Sequence, residues 1–327
     1  MKIFTNPNYN FIRWRWHAIA LSALVIGAGV VMMVTRGLPL GIDFAGGTNV
    51  VVQFAQQVSE DQVRKALDAI PGEKAIQRFG NPSDREVLIK LPQAQTAEQG
   101  TSLEQGSRQI VDALQKAGLP KFEVISTEIV GPVIGADLQR KGIYATLASI
   151  LGITIYIAMR FRPSFAIGAI AATLHDVLVT IAFLTFFGYD LSLNIVAAIL
   201  TITGYSVNDT IVIFDRVREN SRTMRKDSLE HVVNLSVNQT LSRTIITAGT
   251  TFLAVLSLYL FGGEVLEGFA FTMLVGSVSG TYSTIFIAAA IAILLSHRKR
   301  SHAAPAAAAA AETGTRAARK GGRARAS

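Results

Sequence analysis

Asp209 interrupts an apolar run long enough to cross a membrane. Residues 193–207 precede it without a single charge, and Ile211 to Phe214 follow it. A carboxylate placed there faces hydrocarbon, packed protein or a water-filled path. Held charged near the helix centre, it costs roughly 2.5–3.5 kcal/mol. Such residues pair with a partner, and many carry protons or ions. The matching cation is Arg243, which opens the next apolar run. Asp209 lies ~16 residues, or ~24 Å, into its own run. Arg243 enters the returning run at a similar depth, and antiparallel neighbours stand ~8–10 Å apart, within reach of both side chains. Two readings stay open: a fixed structural ion pair, or a titrating pair. Burial and a neighbouring guanidinium act on a carboxyl in opposite directions. Modest movement of Arg243 would therefore switch Asp209 between charged and neutral, with Asp209 as proton acceptor and Arg243 as a permanently charged partner.

Further polar residues surround this pair in the sequence. Asn208 adjoins Asp209, and Thr247 and Thr250 share a helical face with Arg243. The threonines either line a water path or pack helices closely. His175 and Asp176 fall midway along another apolar run. They are either relay members or buried packing partners. Adjacent helical residues point ~100° apart, so a single hydrogen-bonded dyad is not expected of them.

These groups need a membrane scaffold, and the composition supplies one. The chain is half hydrophobic and only 17% charged. Apolar segments at 17–36, 141–159, 165–187, 193–214, 245–262 and 269–295 are each of spanning length, since ~20 helical residues cross ~30 Å of hydrocarbon. Arg13 and Arg15, Arg160 and Arg162, Arg216 to Lys226, and Arg298 to Arg300 flank alternate span ends. The opposite flanks carry only Asp190, Glu264 and Glu267. By the positive-inside rule both termini are cytoplasmic and residues 37–135 lie outside. The first run is too long for a signal-peptide core, and Val34-Thr35-Arg36 is no cleavage site, so an uncleaved anchor is expected. The resulting division is a cytoplasmic N-terminus at 1–16, a span at 17–36, an external domain at 37–135, five spans within 136–296 with a cytoplasmic loop at 215–243, and a tail at 297–327. Within that loop Leu229, Val232, Val233 and Leu235 to Val237 give 215–242 helical character, read either as an amphipathic segment at the membrane interface or as a simple connector.

The chain has no cysteine, which excludes disulfides, thiolate metal sites and cysteine nucleophiles. No phosphate-binding loop is present, so direct ATP use is not indicated. No cofactor, metal or enzymatic activity is expected. The tail holds eight Lys/Arg against Glu312 alone and is rich in alanine. It is read as a disordered topology anchor touching anionic lipid, in preference to RNA or ribosome contact, and no nucleic-acid partner is expected.

The external region changes period. Thr48 to Phe54, Ala75 to Phe79, Glu86 to Leu91 and Phe122 to Val130 read as strands. A helix follows the Ser59/Gln62 capping box and stops at Pro71-Gly72, and a second runs from Leu103 to Ala117. A turn at Gly80 to Asp84 and a polar linker at 93–100 complete it. The order βαββαβ matches a small α+β, ferredoxin-like unit. It holds no nucleophile constellation and is read as a rigid interaction domain. Gly41, Asp43, Gly46 and Gly47 join it to the first span. The glycines allow tight turns, and Asp43 is read as a turn or cap residue. On the sixth span Thr272, Gly276, Gly280 and Thr284 repeat every four residues as a packing face.

The segments Gly41 to Thr48, Gly131 to Gly135, His175-Asp176 and Ser206 to Arg216 together resemble the SecD/SecF family of protein-export membrane subunits, on its SecF side. The likeness runs from about residue 10 to 300. It implies an α-helical membrane protein of six transmembrane helices, an RND-type half completed by a SecD partner, beside the external domain. It implies association with the SecYEG channel and YajC, contact with translocating preproteins and lipid, and use of the proton gradient in late export across the bacterial inner membrane. In the family an aspartate of the Val-Asn-Asp-Thr motif and an arginine after a serine carry proton coupling; the matching positions are Asp209 and Arg243. Two alternatives stay open: a stand-alone RND-type exporter of lipids or small molecules, and a purely structural assembly subunit.

Overall fold

A computed structural model describes residues 7–38, 40–70, 74–80, 83–92 and 105–296. The Pro71-Gly72 stop, the centre of the 80–84 turn, the 93–100 linker, the start of the second domain helix and the tail lie outside these residues. In chain order the elements are α1 (Arg15–Arg36), α2 (Ile42–Ala45), β1 (Gly47–Phe54), α3 (Glu60–Ala66), β2 (Ala75–Phe79), β3 (Glu86–Pro92), α4 (Gln105–Lys116), β4 (Phe122–Val130), α5 (Pro132–Arg160), α6 (Pro163–Phe187), α7 (Leu193–Thr223), α8 (Leu229–Phe261) and α9 (Glu264–Ser283). A π-helical turn, Thr284–Ala288, continues α9, and the span ends at Ser296.

Among the described residues, six helices are long and apolar enough to cross a membrane. Their ends follow local chemistry. Pro163 opens α6 at a position where a missing N–H is harmless. The hydroxyls of Ser192 and Ser228 accept from Ile195 N at 3.3 Å and His231 N at 3.2 Å, capping α7 and α8. Gly188 closes α6 in the left-handed region at φ 75°.

Two boundaries differ from the sequence reading. α5 begins at Pro132 and runs unbroken, so no domain border falls at 135/136. The stretch 215–243 is not a loop: α7 extends to Thr223, α8 starts at Leu229, and only 224–228 turn between them. Phe214 and Val217 pack with Val232, Val233 and Val237 in one apolar cluster. The helical character read from the sequence at 215–242 thus belongs to extensions of α7 and α8. The segment before α1 is tied to this extension. Asn238 Oδ1 accepts from Tyr9 N at 2.8 Å, Asn234 Oδ1 from Phe11 N at 2.9 Å, and Arg15 pairs with Glu230 at 2.7 Å.

α6 and α9 are the central pair, with α7 beside them, whereas α5 and α8 leave most of their surface outward. Small residues set the close seams. A Cβ on Gly168 of α6 would stand 2.6 Å from the Ala288 carbonyl oxygen, and one on Gly276 of α9 2.6 Å from Ile202 of α7. With lipid as apolar as the side chains, such close backbone contact is what holds spans together.

The domain is a four-stranded sheet in the order β2-β3-β1-β4 with every neighbouring pair antiparallel. The period-2 alternation puts Val50, Val52, Phe54, Val87 and Ile89 on the face covered by α3 and α4, where they meet Val63, Leu67, Ile110 and Leu114. The Ser59/Gln62 capping box forms as read from the sequence. This is the ferredoxin-like arrangement, and it sits at the bundle end that also carries the α6–α7 turn.

Gly168→Leu should lower the thermal midpoint of the detergent-purified protein by an amount equivalent to ~1–3 kcal/mol, the usual overpacking cost. Gly152→Ala, inside α5 where a Cβ meets nothing within 4 Å, should not lower that midpoint. A heat-aggregation scan of both variants checks this.

Candidate functional site

The intramembrane polar residues form two separate groups. The first lies between α7 and α8. Asp209 is half-buried, and its Oδ1 accepts from the Thr244 hydroxyl at 2.8 Å. Its Oδ2 is buried and has no hydrogen-bond partner among the described residues. Arg243 stands within electrostatic reach, but among the described residues no ion pair links it to Asp209. The expectation that the two long side chains meet is thus not realised in this conformation. Thr244 takes the inward direction on α8, and Arg243, one residue earlier and ~100° round the helix, is exposed. Thr247 and Thr250 share that exposed face, and the Thr250 hydroxyl donates to Ile246 O at 2.9 Å on its own helix. Asn208 is exposed on α7. Asp209 therefore sits at the edge of an uncovered polar flank made by α7 and α8.

The second group is buried where α6 crosses α7 and α9. Asp176 is 1% exposed. Its Oδ1 accepts from Ser279 at 2.8 Å, and its Oδ2 from Ser206 at 2.5 Å and Ser283 at 2.7 Å. His175 Nδ1 stands 3.1 Å from Asp176 Oδ1 and His175 Nε2 2.8 Å from Ser22 Oγ on α1. The expectation that His175 and Asp176 form no hydrogen-bonded pair is corrected here. Their backbones diverge as helical geometry requires, but the imidazole folds back far enough to close the gap.

The glycine segment before the domain grips the α6–α7 turn. Gly41 N–H donates to Leu191 O at 2.8 Å. Asp43 Oδ2 accepts from Leu193 N at 2.9 Å and so caps α7, where the helix dipole favours a carboxylate. Gly46, at φ +73°, lies where a Cβ would come within 3.1 Å of Pro132 Cα. Gly47 starts β1 directly after it. Lys90 of β3 pairs with Asp190 in the same turn. Beside them Tyr189 donates to Glu267 at 2.6 Å. Burial first, and then that carboxylate, push the Tyr189 phenol well above its ordinary range, so it stays a donor.

Thr244, Ser22, Ser279 and Ser283 were not singled out from the sequence. Hydroxyls are common in spans, and nothing local distinguishes one aimed at a carboxylate from one bonded to its own helix. Among the described residues no cluster of His, Cys, Asp and Glu is placed to hold a metal ion.

Residues 109–298 match the family of protein export membrane proteins SecD/SecF, C-terminal part, and residues 31–58 match the SecD/SecF GG motif. The chain belongs to the SecD/SecF family. It is 42% identical to the protein translocase subunit SecF of Rhodothermus marinus, over 91% of this chain and 96% of that one. It is 40% identical to SecF of Escherichia coli O157:H7, over 90% of each. Its fold is similar to the crystal structure of SecDF, a translocon-associated membrane protein from Thermus thermophilus, with a TM-score of 0.78 at 34% identity. That likeness covers 89% of this chain and 39% of the SecDF chain, so the protein spans about two-fifths of the larger molecule.

Thr244→Val removes the hydroxyl that Asp209 accepts from and leaves a buried acceptor unsatisfied, a penalty of about 1–3 kcal/mol. Difference infrared spectra should show the Asp209 carboxyl band, identified by its loss in Asp209→Asn, shifted in Thr244→Val and unmoved in Thr250→Val.

Proposed function

We propose that the protein is a SecF-type accessory subunit of a bacterial Sec translocase, coupling proton flow to late preprotein export with a SecD-type partner. The observation that carries this reading is Asp209: a half-buried carboxylate with one oxygen bonded to Thr244, the other unpartnered, at the rim of an uncovered polar flank. A group that takes up and releases protons needs an ionisable oxygen close to a polar flank, and Asp209 stands beside the one formed by Asn208, Arg243, Thr247 and Thr250. Arg243 acts as its electrostatic partner, engaging Asp209 or withdrawing as α8 shifts. Asn208, Thr247 and Thr250 line the approach.

Exposed Arg243 on a span is costly against lipid, so a second helical bundle covers the α7–α8 flank. The SecF relatives and the SecDF fold support a SecD-type chain in that place. SecYEG and YajC are further proposed partners, with preproteins as the load and lipid around the rim. In this reading the protein resides in the inner membrane with both termini cytoplasmic and the domain outside. The domain then moves with α7, whose end it holds through Asp43.

In vesicles carrying the assembled translocase, Asp209→Asn should insert and assemble normally yet abolish gradient-dependent export. Arg243→Lys should be impaired despite its charge, since Lys lacks the planar fork. Full gradient-dependent export by Asp209→Asn would falsify the proton-acceptor role.

The topology is tested in the cysteine-free chain. Ser83→Cys should react with an impermeant thiol reagent from outside the cell. Lys226→Cys, in the exposed turn between α7 and α8, should react only after the inner membrane is opened.

A further inference from the structure

Asp176 is a buried acid that the coupling scheme above does not use. It is an acceptor four times over: two hydroxyls from α9, one from α7 and the adjacent imidazole fill the positions around its two oxygens. Asp209, by contrast, has one donor, and its buried Oδ2 has no hydrogen-bond partner among the described residues. The groups facing Asp176 from each packed element are Ser22 from α1, His175 on its own helix, Ser206 from α7, and Ser279, Tyr282 and Ser283 from α9. None of them is a fixed charge. Among the described residues no hydrogen bond links this cluster to Asp209 or Thr244.

Its position makes it mechanical. Ser206 stands three residues before Asp209 on α7, a rise of ~4.5 Å. Gly280 of α9 brings the two helices so close that a Cβ there would lie 3.0 Å from Ser206 Cβ. One turn further, Thr210 and Thr284 hydroxyls are 2.9 Å apart, at the start of the π-helical turn. Sliding α7 along α9 would have to pull Ser206 off the carboxylate that also holds Ser279 and Ser283.

We propose that Asp176 is a positioning residue: its carboxylate clamps α7 to α9 through Ser206, Ser279 and Ser283, fixing the depth of Asp209 while α8 and Arg243 move. It does not carry the transported proton. The inference rests on the coupling role assigned to Asp209 above, and the first measurement below is independent of that role.

Thr210→Cys with Thr284→Cys, in the cysteine-free chain within the assembled translocase, should form a disulfide readily under mild oxidant. Adding Ser206→Ala and Ser283→Ala should slow its formation on the order of tenfold, because the seam loses two hydrogen bonds to a carboxylate. In the native-threonine background the same serine pair should lower gradient-driven export severalfold with its pH profile unmoved. Asp176→Asn keeps an acceptor oxygen while the hydroxyls can turn, so it should retain part of that export, unlike Asp209→Asn. If the double serine variant fails to insert, Ser206→Ala and Ser283→Ala singly give the same two readings. Serine variants that crosslink and export like wild type overturn the clamp. So does an Asp176→Asn that loses all gradient dependence while the serine variants keep it, which would make Asp176 a carrier. Should wild-type export prove independent of the gradient, the coupling role fails, and the crosslinking rates still decide the clamp.

Discussion

Hydrocarbon offers no hydrogen bonds, and the rest of this structure depends on that. Every polar group placed in a span has to find its partner inside the protein or pay the full desolvation penalty. The chain meets the constraint in two ways. Asp176 is enclosed by hydroxyls from neighbouring helices. Asp209 is only partly provided for, with Thr244 on one oxygen and no partner for the other among the described residues. The same chemistry, a carboxylate at membrane depth, is enclosed by hydroxyls in one place and bonded through one oxygen in the other.

The architecture connects this open site to the domain by a single element. α7 runs without a break from Leu193, whose amide is capped by Asp43, through Asp209 to Thr223. The α6–α7 turn is held by Gly41 from the glycine segment and by Lys90 from the sheet. A 31-residue helix transmits displacement along its axis well, because every turn is hydrogen-bonded to the next. α8, facing outward along most of its length, is the less constrained partner. Arg243 therefore sits on a helix that is less enclosed within this chain than α7 is.

Much of this was legible in the sequence where the signal is local. The six spans follow from uninterrupted hydropathy, and the domain from alternating strands, the Ser59/Gln62 box and the βαββαβ order. The four-residue repeat on the last span foretold a seam, and Gly276, Gly280 and Thr284 do face α7. At 215–242 the helical stripe of Leu229, Val232, Val233 and Val237 was legible, but not that it continues the two flanking spans as unbroken helices with a turn of only 224–228 between them. Single residues misled more. His175 and Asp176 were expected to point apart, and side-chain rotation brought them together.

The sequence by itself determined which residues had to be inside the membrane and which of them were chemically able to titrate. Residue type and hydrophobic period are properties of the chain alone, and lipid acts on each span separately. Only the tertiary structure decided which acid was satisfied and which was left open. That outcome depends on whether a hydroxyl from a distant helix arrives within about 3 Å of a carboxylate oxygen. Ser206, Ser279 and Ser283 reach Asp176, and Thr244, not Arg243, reaches Asp209. Helix rotation and the close approach of small residues set those distances, and both arise from packing between segments far apart in the chain.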